Sequence, residues 1–213
     1  GIGISNTPLK CAKEINSFLC GEYNEEISAL FSCGGGELMC EILDDVDFDK
    51  IKKSKPVWFL GYSDNTNLTF LLPTICDITA IYSPCAPAYG MEPWHPSLKD
   101  TFELLTGKSN MAHGYDKWEK ESLKNEENPL VPYNVTKKTE IKKFGAGKDD
   151  AKTEISGRLI GGCLDCLSNL AGTKFDKVSD FNEKYKEDGI IWFMESCDLN
   201  PMGIRRALWQ LKE

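Results

Sequence analysis

Apolar residues are spaced along the chain in two patterns. One is typical of helices and the other is typical of buried strands. Between Pro8 and Leu19 the apolar positions recur at helical spacing, which predicts a helix. Shorter apolar runs predict strands. These runs are 26–32, 57–60, 78–83 and 190–194. Helical stretches lie between them, at 37–43, 48–53 and 98–105. Helices that alternate with short strands predict an α/β fold with a parallel sheet.

The run 57–60 leads into a turn that presents a serine. Gly61 permits a tight turn, and Ser63 comes directly before a stretch whose apolar spacing predicts a helix. A strand, a sharp turn and a helix commonly present a nucleophilic serine, because backbone N–H groups at the helix start can face an oxyanion. The stretch lacks the second glycine of the G-x-S-x-G elbow, so taken alone it also fits an ordinary N-cap serine.

Three consecutive glycines, Gly34, Gly35 and Gly36, follow the predicted strand 26–32. In parallel sheets ligands bind at the carboxyl ends of strands, so this turn and the Ser63 turn are expected at the same edge. Glycines let backbone N–H groups approach a ligand closely. The turn matches neither G-x-G-x-x-G nor the lysine-bearing phosphate loop, and an oxyanion donor beside Ser63 is the favoured interpretation.

The remaining stretches divide the chain. The prolines of segment 84–96 exclude a helix there. The polar segment 106–150 predicts irregular or hairpin structure between two domains. Trp118 in this segment either stacks on a ligand or anchors the loop. A second region begins at 154–160, followed by Gly161, Gly162 and an apolar helix. The strand 190–194 ends at Glu195, a carboxylate placed either for function or for a cap or salt bridge.

Composition narrows the possible partners. The chain has 213 residues, 41% of them hydrophobic, which is enough for one large or two small domains. A net charge of -8 argues against nucleic acid or an anionic membrane as partner, and no apolar run reaches the length of a membrane span, about 18 residues. Nine scattered cysteines indicate reduced thiols in the cytoplasm. Cys163 and Cys166 have C-x-x-C spacing but no second pair or nearby histidine, so no metal is predicted.

Four motifs in this order resemble those of the LD-carboxypeptidase family, and most closely its microcin C immunity branch. They are the Gly34 to Gly36 turn, Gly61-Tyr62-Ser63-Asp64, the stretch from Gly157 to Leu164, and the strand ending in Glu195. The resemblance covers nearly the whole chain. It implies a flavodoxin-like parallel-sheet N-terminal domain at 1–90, a linker and substrate loop at 91–150, and a second, incomplete α/β C-terminal domain at 151–213. Both ends of the chain are expected to be truncated.

The resemblance also implies a chemistry. Family members are cytoplasmic serine peptidases with a Ser-His-Glu triad, and carried over to this chain Ser63 is the nucleophile and Glu195 orients the histidine. The backbone N–H groups of Asp64 and Gly35 would form the oxyanion hole, beside substrate-binding Gly34 and Gly36. Trp118 would stack on a nucleobase. The resemblance implies no cofactor, and it implies a homodimer.

The chain departs from the family pattern at two points. The family's histidine lies beyond the carboxylate strand, in a part that the sequence does not reach, so the triad is incomplete here. His95 and His113 do not match the family position, and structural or solvent-exposed roles are expected for both. Cys33 stands where the family usually has an arginine before the glycines.

Two functions of different classes follow. The first is a serine carboxypeptidase or amidase that hydrolyses a terminal amide of a small peptide conjugate, either an aminoacyl-nucleotide of the microcin C type or a murein LD-peptide. The alternative is a non-catalytic binding module that sequesters such a ligand. A flavodoxin-like cofactor binder is a weaker third hypothesis, because the sequence contains no complete phosphate fingerprint.

Overall fold

The computed structural model describes residues 6–145 and 154–212. By its internal contacts the chain divides into two compact units. The first comprises Gly1–Ala86 and Gly157–Glu213, and the second comprises Pro87–Ser156. The predicted division into domains at 1–90 and 151–213 differs from this division into units and remains a prediction.

The regular elements are numbered in chain order. The strands are β1 (Ala29–Phe31), β2 (Trp58–Gly61), β3 (Ile81–Tyr82), β4 (Lys117–Glu119), β5 (Val135–Lys138), β6 (Arg158–Cys163) and β7 (Ile190–Glu195). The α-helices are α1 (Pro8–Leu19), α2 (Phe48–Ile51), α3 (Thr66–Thr69), α4 (Pro96–Leu105), α5 (Leu164–Leu170), α6 (Val178–Lys184) and α7 (Pro201–Lys212). None of the helices in the described part of the chain is both long and apolar enough to cross a membrane.

Two parallel sheets build the first unit. Strands β1, β2 and β3 pair in that order, and β6 pairs with β7 in the other sheet. Buried residues from both segments of the unit form one hydrophobic cluster. Leu68 and Leu71, which follow the Ser63 turn in sequence, belong to it together with Ile160 of β6 and Leu167 of α5. The predicted α/β class with parallel strands is confirmed. In the second unit β4 and β5 pair antiparallel, which fits the predicted hairpin.

Helix α1 has the bounds that the sequence predicts, because both of its ends carry local signals. Thr7 accepts a hydrogen bond from the Lys10 N–H at 3.4 Å, and Pro8 occupies the first turn, where its missing N–H costs nothing. The helix buries Ala12 and Leu19 in the core. Strand β7 likewise ends at Glu195, as predicted.

Several predicted elements differ from the structure. The stretch 37–43 does not form an α-helix; a 3-10 helix runs over Met39–Asp45 instead. The run 26–32 shortens to the three residues of β1, and the run 78–83 shortens to the two residues of β3. The exclusion of helix from 84–96 was wrong for Ala86–Gly90, which form a 3-10 helix. Pro87 is tolerated near the start of this helix, because N–H groups in the first turn have no partner within the helix.

The two consecutive glycines lie inside β6, a strand that the sequence analysis does not predict. Gly161 has φ +149° and Gly162 has φ +140°, a region that L side chains rarely adopt. A Cβ on Gly161 would lie 1.7 Å from the carbonyl oxygen of Phe193, and one on Gly162 would lie 2.7 Å from Cγ2 of Thr66. The glycines therefore let β6 pack directly against both β7 and the helix that follows the elbow.

A single hydrogen bond reinforces this contact. The fully buried Thr66 hydroxyl accepts the Cys163 N–H at 2.9 Å. Thr66→Val keeps the side-chain shape but leaves that buried N–H without its acceptor, so we expect the free energy of unfolding to fall by about 1–3 kcal/mol in urea denaturation. The exposed Thr106 supplies the control, because Thr106→Val should change stability by less than about 0.5 kcal/mol. Equal effects of the two substitutions would contradict the assignment.

Candidate active site

Ser63 lies in a strained turn between β2 and the helical segment that begins with a 3-10 turn at Ser63–Asn65 and continues into α3. Its φ is +61°, in the left-handed region that non-glycine residues avoid at a cost of about 1–3 kcal/mol. The N-cap position belongs to Tyr62, with no side-chain capping bond, so the interpretation as an ordinary N-cap serine was wrong. Strain of this kind is typical of a nucleophile elbow.

Two neighbours of Ser63 hold the elbow in shape. A Cβ on Gly61 would lie 2.6 Å from Cγ of Asn65, so only glycine fits there. The buried Asn65 amide donates hydrogen bonds to the carbonyl oxygens of Tyr62, at 3.0 Å, and of Gly34, at 2.9 Å. The Asn65 side chain thus joins the elbow to the glycine turn.

The glycine turn lies against the serine. A Cβ on Gly35 would lie 3.2 Å from both Cβ and Oγ of Ser63, and one on Gly36 would lie 2.9 Å from Oδ2 of Asp64. The Ser32 hydroxyl donates a hydrogen bond to the Gly34 carbonyl at 2.7 Å and fixes the start of the turn. The structure therefore brings Gly35 to Ser63 and Gly36 to Asp64, and the turn itself is exposed to solvent.

Asp64 uses its side chain within the fold. Its buried carboxylate accepts the Met39 N–H at 2.9 Å and the Asn67 side-chain amide at 3.1 Å. Burial raises the pKa of Asp64, against the opposing effect of these hydrogen bonds. The carboxylate holds the segment after the glycine turn, which leaves the backbone N–H as the part of Asp64 that a substrate could meet.

Glu195 ends β7 beside the elbow and is exposed. The Tyr82 hydroxyl donates a hydrogen bond to Oε1 of Glu195 at 2.5 Å and accepts the Ser63 N–H at 3.0 Å. Burial and the bond to Glu195 both raise the pKa of Tyr82, so its hydroxyl stays protonated. The two predicted residues Ser63 and Glu195 are thus linked through a residue that the sequence analysis missed. Its one available signal was its place at the end of the predicted strand 78–83.

Two thiols, the buried Cys163 and the half-buried Cys166, lie close to the elbow. Cys166 Sγ is 3.7 Å from the Ser63 carbonyl oxygen, and Cys163 ends β6 opposite Glu195. Burial raises the pKa of Cys163 to about 11 and also raises that of Cys166. Thiols of this kind are poor nucleophiles, which fits the predicted structural role. Across residues 6–145 and 154–212, no group of three or more His, Cys, Asp or Glu side chains is arranged to hold a metal ion.

The remaining predicted residues belong to the second unit. Trp118 lies on β4, pairs with Lys137 on β5, and is 49% exposed. His95 caps α4, where its Nδ1 accepts the Ser97 N–H at 3.2 Å. His113 Nδ1 lies 3.0 Å from the Asp100 carboxylate. Both histidines of the sequence thus have local partners in that unit, which fits the predicted structural or solvent-exposed roles.

Comparison with known proteins identifies the same family in two stretches of the chain. One family model, the LD-carboxypeptidase N-terminal domain, matches residues 3–83, and another, the LD-carboxypeptidase C-terminal domain, matches residues 156–213. No curated protein matches the chain.

Similar solved structures include three of one kind. The microcin C7 self immunity protein MccF in its wild-type apo state has a TM-score of 0.73 at 24% identity, and MccF in complex with glutamyl sulfamoyl guanosine has a TM-score of 0.69 at 24% identity. In both, 98% of this chain and 59% of the other are covered. An MccF-like protein from Streptococcus pneumoniae in complex with AMP has a TM-score of 0.71 at 20% identity, with 96% and 62% covered. The chain thus has this fold and spans about three fifths of the length of these proteins.

Proposed function

Because the chain belongs to the LD-carboxypeptidase family, we propose that its protein is a serine carboxypeptidase or amidase with Ser63 as nucleophile. The observation that carries the proposal is the strained elbow itself. Ser63 has φ +61°, and Gly35 approaches so closely that a Cβ there would lie 3.2 Å from the serine hydroxyl. A fold keeps such a residue strained when the strain serves a site, and here it turns the hydroxyl toward the glycine turn.

The proposed reaction is acyl transfer through a covalent intermediate. The Ser63 hydroxyl attacks the carbonyl carbon of a terminal amide while a histidine takes its proton, and Glu195 orients that histidine. The backbone N–H groups of Gly35 and Asp64 donate to the oxyanion that forms, and Gly34 and Gly36 line the substrate beside it. The histidine then protonates the leaving amine, and water releases the acyl group from Ser63.

The general base of this triad is assigned outside the 213 residues. Both histidines of the sequence lie in the second unit with local partners, so neither is assigned the role. A general base contributes about 10²–10⁴-fold in rate. We therefore expect the 213-residue chain alone to turn over substrate slower by about that factor than the full-length protein, in a direct comparison of kcat.

The proposed substrate is an aminoacyl-nucleotide conjugate. Solved MccF structures contain aspartyl sulfamoyl adenosine and glutamyl sulfamoyl guanosine, and the fold is shared. The exposed indole of Trp118 offers a face on which a base can stack. A murein LD-peptide is the second candidate, since its terminal residue is also joined by an amide that a serine peptidase can attack. Nothing in the proposed chemistry requires a cofactor.

Trp118 gives the substrate assignment a measurable consequence. Stacking on an aromatic side chain contributes about 1–3 kcal/mol per base, so Trp118→Ala should weaken binding of an aminoacyl sulfamoyl adenosine by about tenfold to a hundredfold in calorimetry. Trp209 on α7 is 65% exposed and supplies the control, because Trp209→Ala should leave the affinity unchanged. Equal affinities of the Trp118→Ala and Trp209→Ala proteins would favour the murein peptide.

Turnover separates the peptidase from the alternative, a binding module that sequesters the same ligand. The full-length protein is incubated with an aminoacyl-adenylate analogue and, separately, with a murein LD-tetrapeptide, and the released amino acid is followed by chromatography. The proposal expects release with one of the two. Tight binding without release in either case would establish the binding module instead.

The setting of the protein is also part of the proposal. Nine cysteines without a disulfide are typical of a reducing cytoplasm, and an acidic chain without a spanning helix in its described part fits a small-molecule partner. The family resemblance further suggests a homodimer, which light scattering of the full-length protein would test.

A further inference from the structure

Tyr82 lies where the two halves of the proposed catalytic machinery meet. It ends β3, opposite Gly61 of β2, and its ring packs against Phe193 of β7 with ring centroids 5.5 Å apart. Phe193 and Glu195 share one face of β7, because alternate residues of a strand point the same way. The Tyr82 side chain therefore spans from the strand beside the elbow to the strand that carries the carboxylate.

The hydroxyl of Tyr82 makes two bonds of opposite sense. It accepts the Ser63 N–H at 3.0 Å and donates to Oε1 of Glu195 at 2.5 Å. The first bond satisfies the backbone of a residue held at φ +61°. The second is charge-assisted and engages one carboxylate oxygen, so Oε2 remains for the histidine of the proposed triad. One phenol thus fixes the nucleophile and the carboxylate relative to each other.

We propose that Tyr82 is a positioning residue of the active site, one that holds the Ser63 elbow in register with Glu195 and moderates the negative charge that Glu195 presents to the catalytic base. This inference rests on the proposed function. A hydrogen-bond donor draws charge from a carboxylate and makes it a weaker partner for an imidazolium. Losing the donor would therefore raise the pKa of the histidine.

Of the titratable groups around Glu195, Tyr82 is the one that donates a hydrogen bond to its carboxylate. The titratable side chains that interact with Glu195 include Tyr82 on β3, Cys163 on β6 and Cys197 after β7, and the Asp165 carboxylate on α5 lies beside both thiols. The pKa values of both thiols are raised, that of Cys163 mainly by burial and that of Cys197 mainly by Asp198, so they stay neutral. Thr66 also faces the Tyr82 hydroxyl but does not titrate.

The test is the rate at which a fluorophosphonate labels Ser63 in the full-length protein, followed against pH. Tyr82→Phe should slow labelling by about tenfold to a hundredfold, since a hydrogen bond to a charged group is worth about 1.5–3 kcal/mol. It should also move the acidic limb of the profile upward by about half a pH unit, because the base stays protonated to higher pH. Tyr185→Phe removes another tyrosine–carboxylate bond, to Asp77, and should change neither quantity.

Each outcome decides the inference. A slower labelling rate with an unmoved acidic limb would reduce Tyr82 to a structural role. An unchanged rate would exclude both the structural role and the positioning role. Absence of labelling in the wild-type protein would refute the proposed function instead. If Tyr82→Phe fails to fold, 3-fluorotyrosine at position 82 keeps the shape and makes the phenol a stronger donor. The limb should then move to lower pH, and an upward or absent shift would overturn the inference.

Discussion

Ser63→Ala is expected to abolish turnover by the full-length protein, with kcat/KM falling on the order of 10⁴-fold or more. The substitution removes one oxygen atom, the attacking atom of the proposed reaction. A β-carbon at this position already exists, so the elbow, the glycine turn and the affinity for substrate should survive. The loss should therefore appear in kcat, measured by release of the amino acid, while the dissociation constant of the bound conjugate stays near that of the wild type.

Ser168 provides the matched control. Its hydroxyl lies on α5 and donates to the Leu164 carbonyl at 2.7 Å, so it is a serine of the same unit with a purely local partner. Ser168→Ala should keep kcat within about twofold, in line with the small effects of most substitutions away from a site. Turnover by the Ser63→Ala protein within about tenfold of the Ser168→Ala protein would contradict the assignment of the nucleophile.

Gly161→Ala is expected to have the largest effect on stability, a loss on the order of 4 kcal/mol or failure to fold. The added Cβ would lie 1.7 Å from the Phe193 carbonyl oxygen, and the backbone at φ +149° is strained for alanine whatever the space. Strand β6 would have to separate from β7. Since β7 carries Glu195, the labelling of Ser63 should fall together with stability.

Gly114→Ala is the control for this prediction. A Cβ on Gly114 would have no atom within 4 Å, and its φ is outside the left-handed region. Its free energy of unfolding in urea should change by less than about 0.5 kcal/mol. A Gly161→Ala protein as stable as the Gly114→Ala protein would show that β6 and β7 do not pack as described.

The sequence predicts well those elements whose signals are local. Helix α1 has the predicted bounds because Thr7 and Pro8 mark its start and apolar spacing marks its buried face. Strand β7 is predicted because its residues form one apolar run that stops at Glu195. The elbow at Ser63 is predicted for the same reason: a strand, a glycine and a helix start follow each other within a few residues.

Elements that depend on distant contacts could not be predicted in this way. Strand β6 was not predicted, because its Gly161 and Gly162 serve close approaches of the Phe193 carbonyl and Thr66, which come from other parts of the chain. Helix α6 was missed because Phe181 is its only buried residue and the apolar pattern is weak.

Tyr82 shows the same limit within the site. In the sequence it is one residue of a short β-like run, and nothing nearby marks it as polar machinery. Its two partners, Ser63 and Glu195, lie 19 and 113 residues away. Only the parallel order of β2 and β3 and the packing of Tyr82 against β7 bring them to its hydroxyl.

The most direct test of the central claim is to locate the residue that reacts. The full-length protein is treated with a fluorophosphonate, digested and analysed by tandem mass spectrometry. A single adduct on Ser63, lost in Ser63→Ala and retained in Ser168→Ala, is the predicted result. An adduct on another residue, or labelling that survives Ser63→Ala, would contradict the claim that this elbow presents the nucleophile.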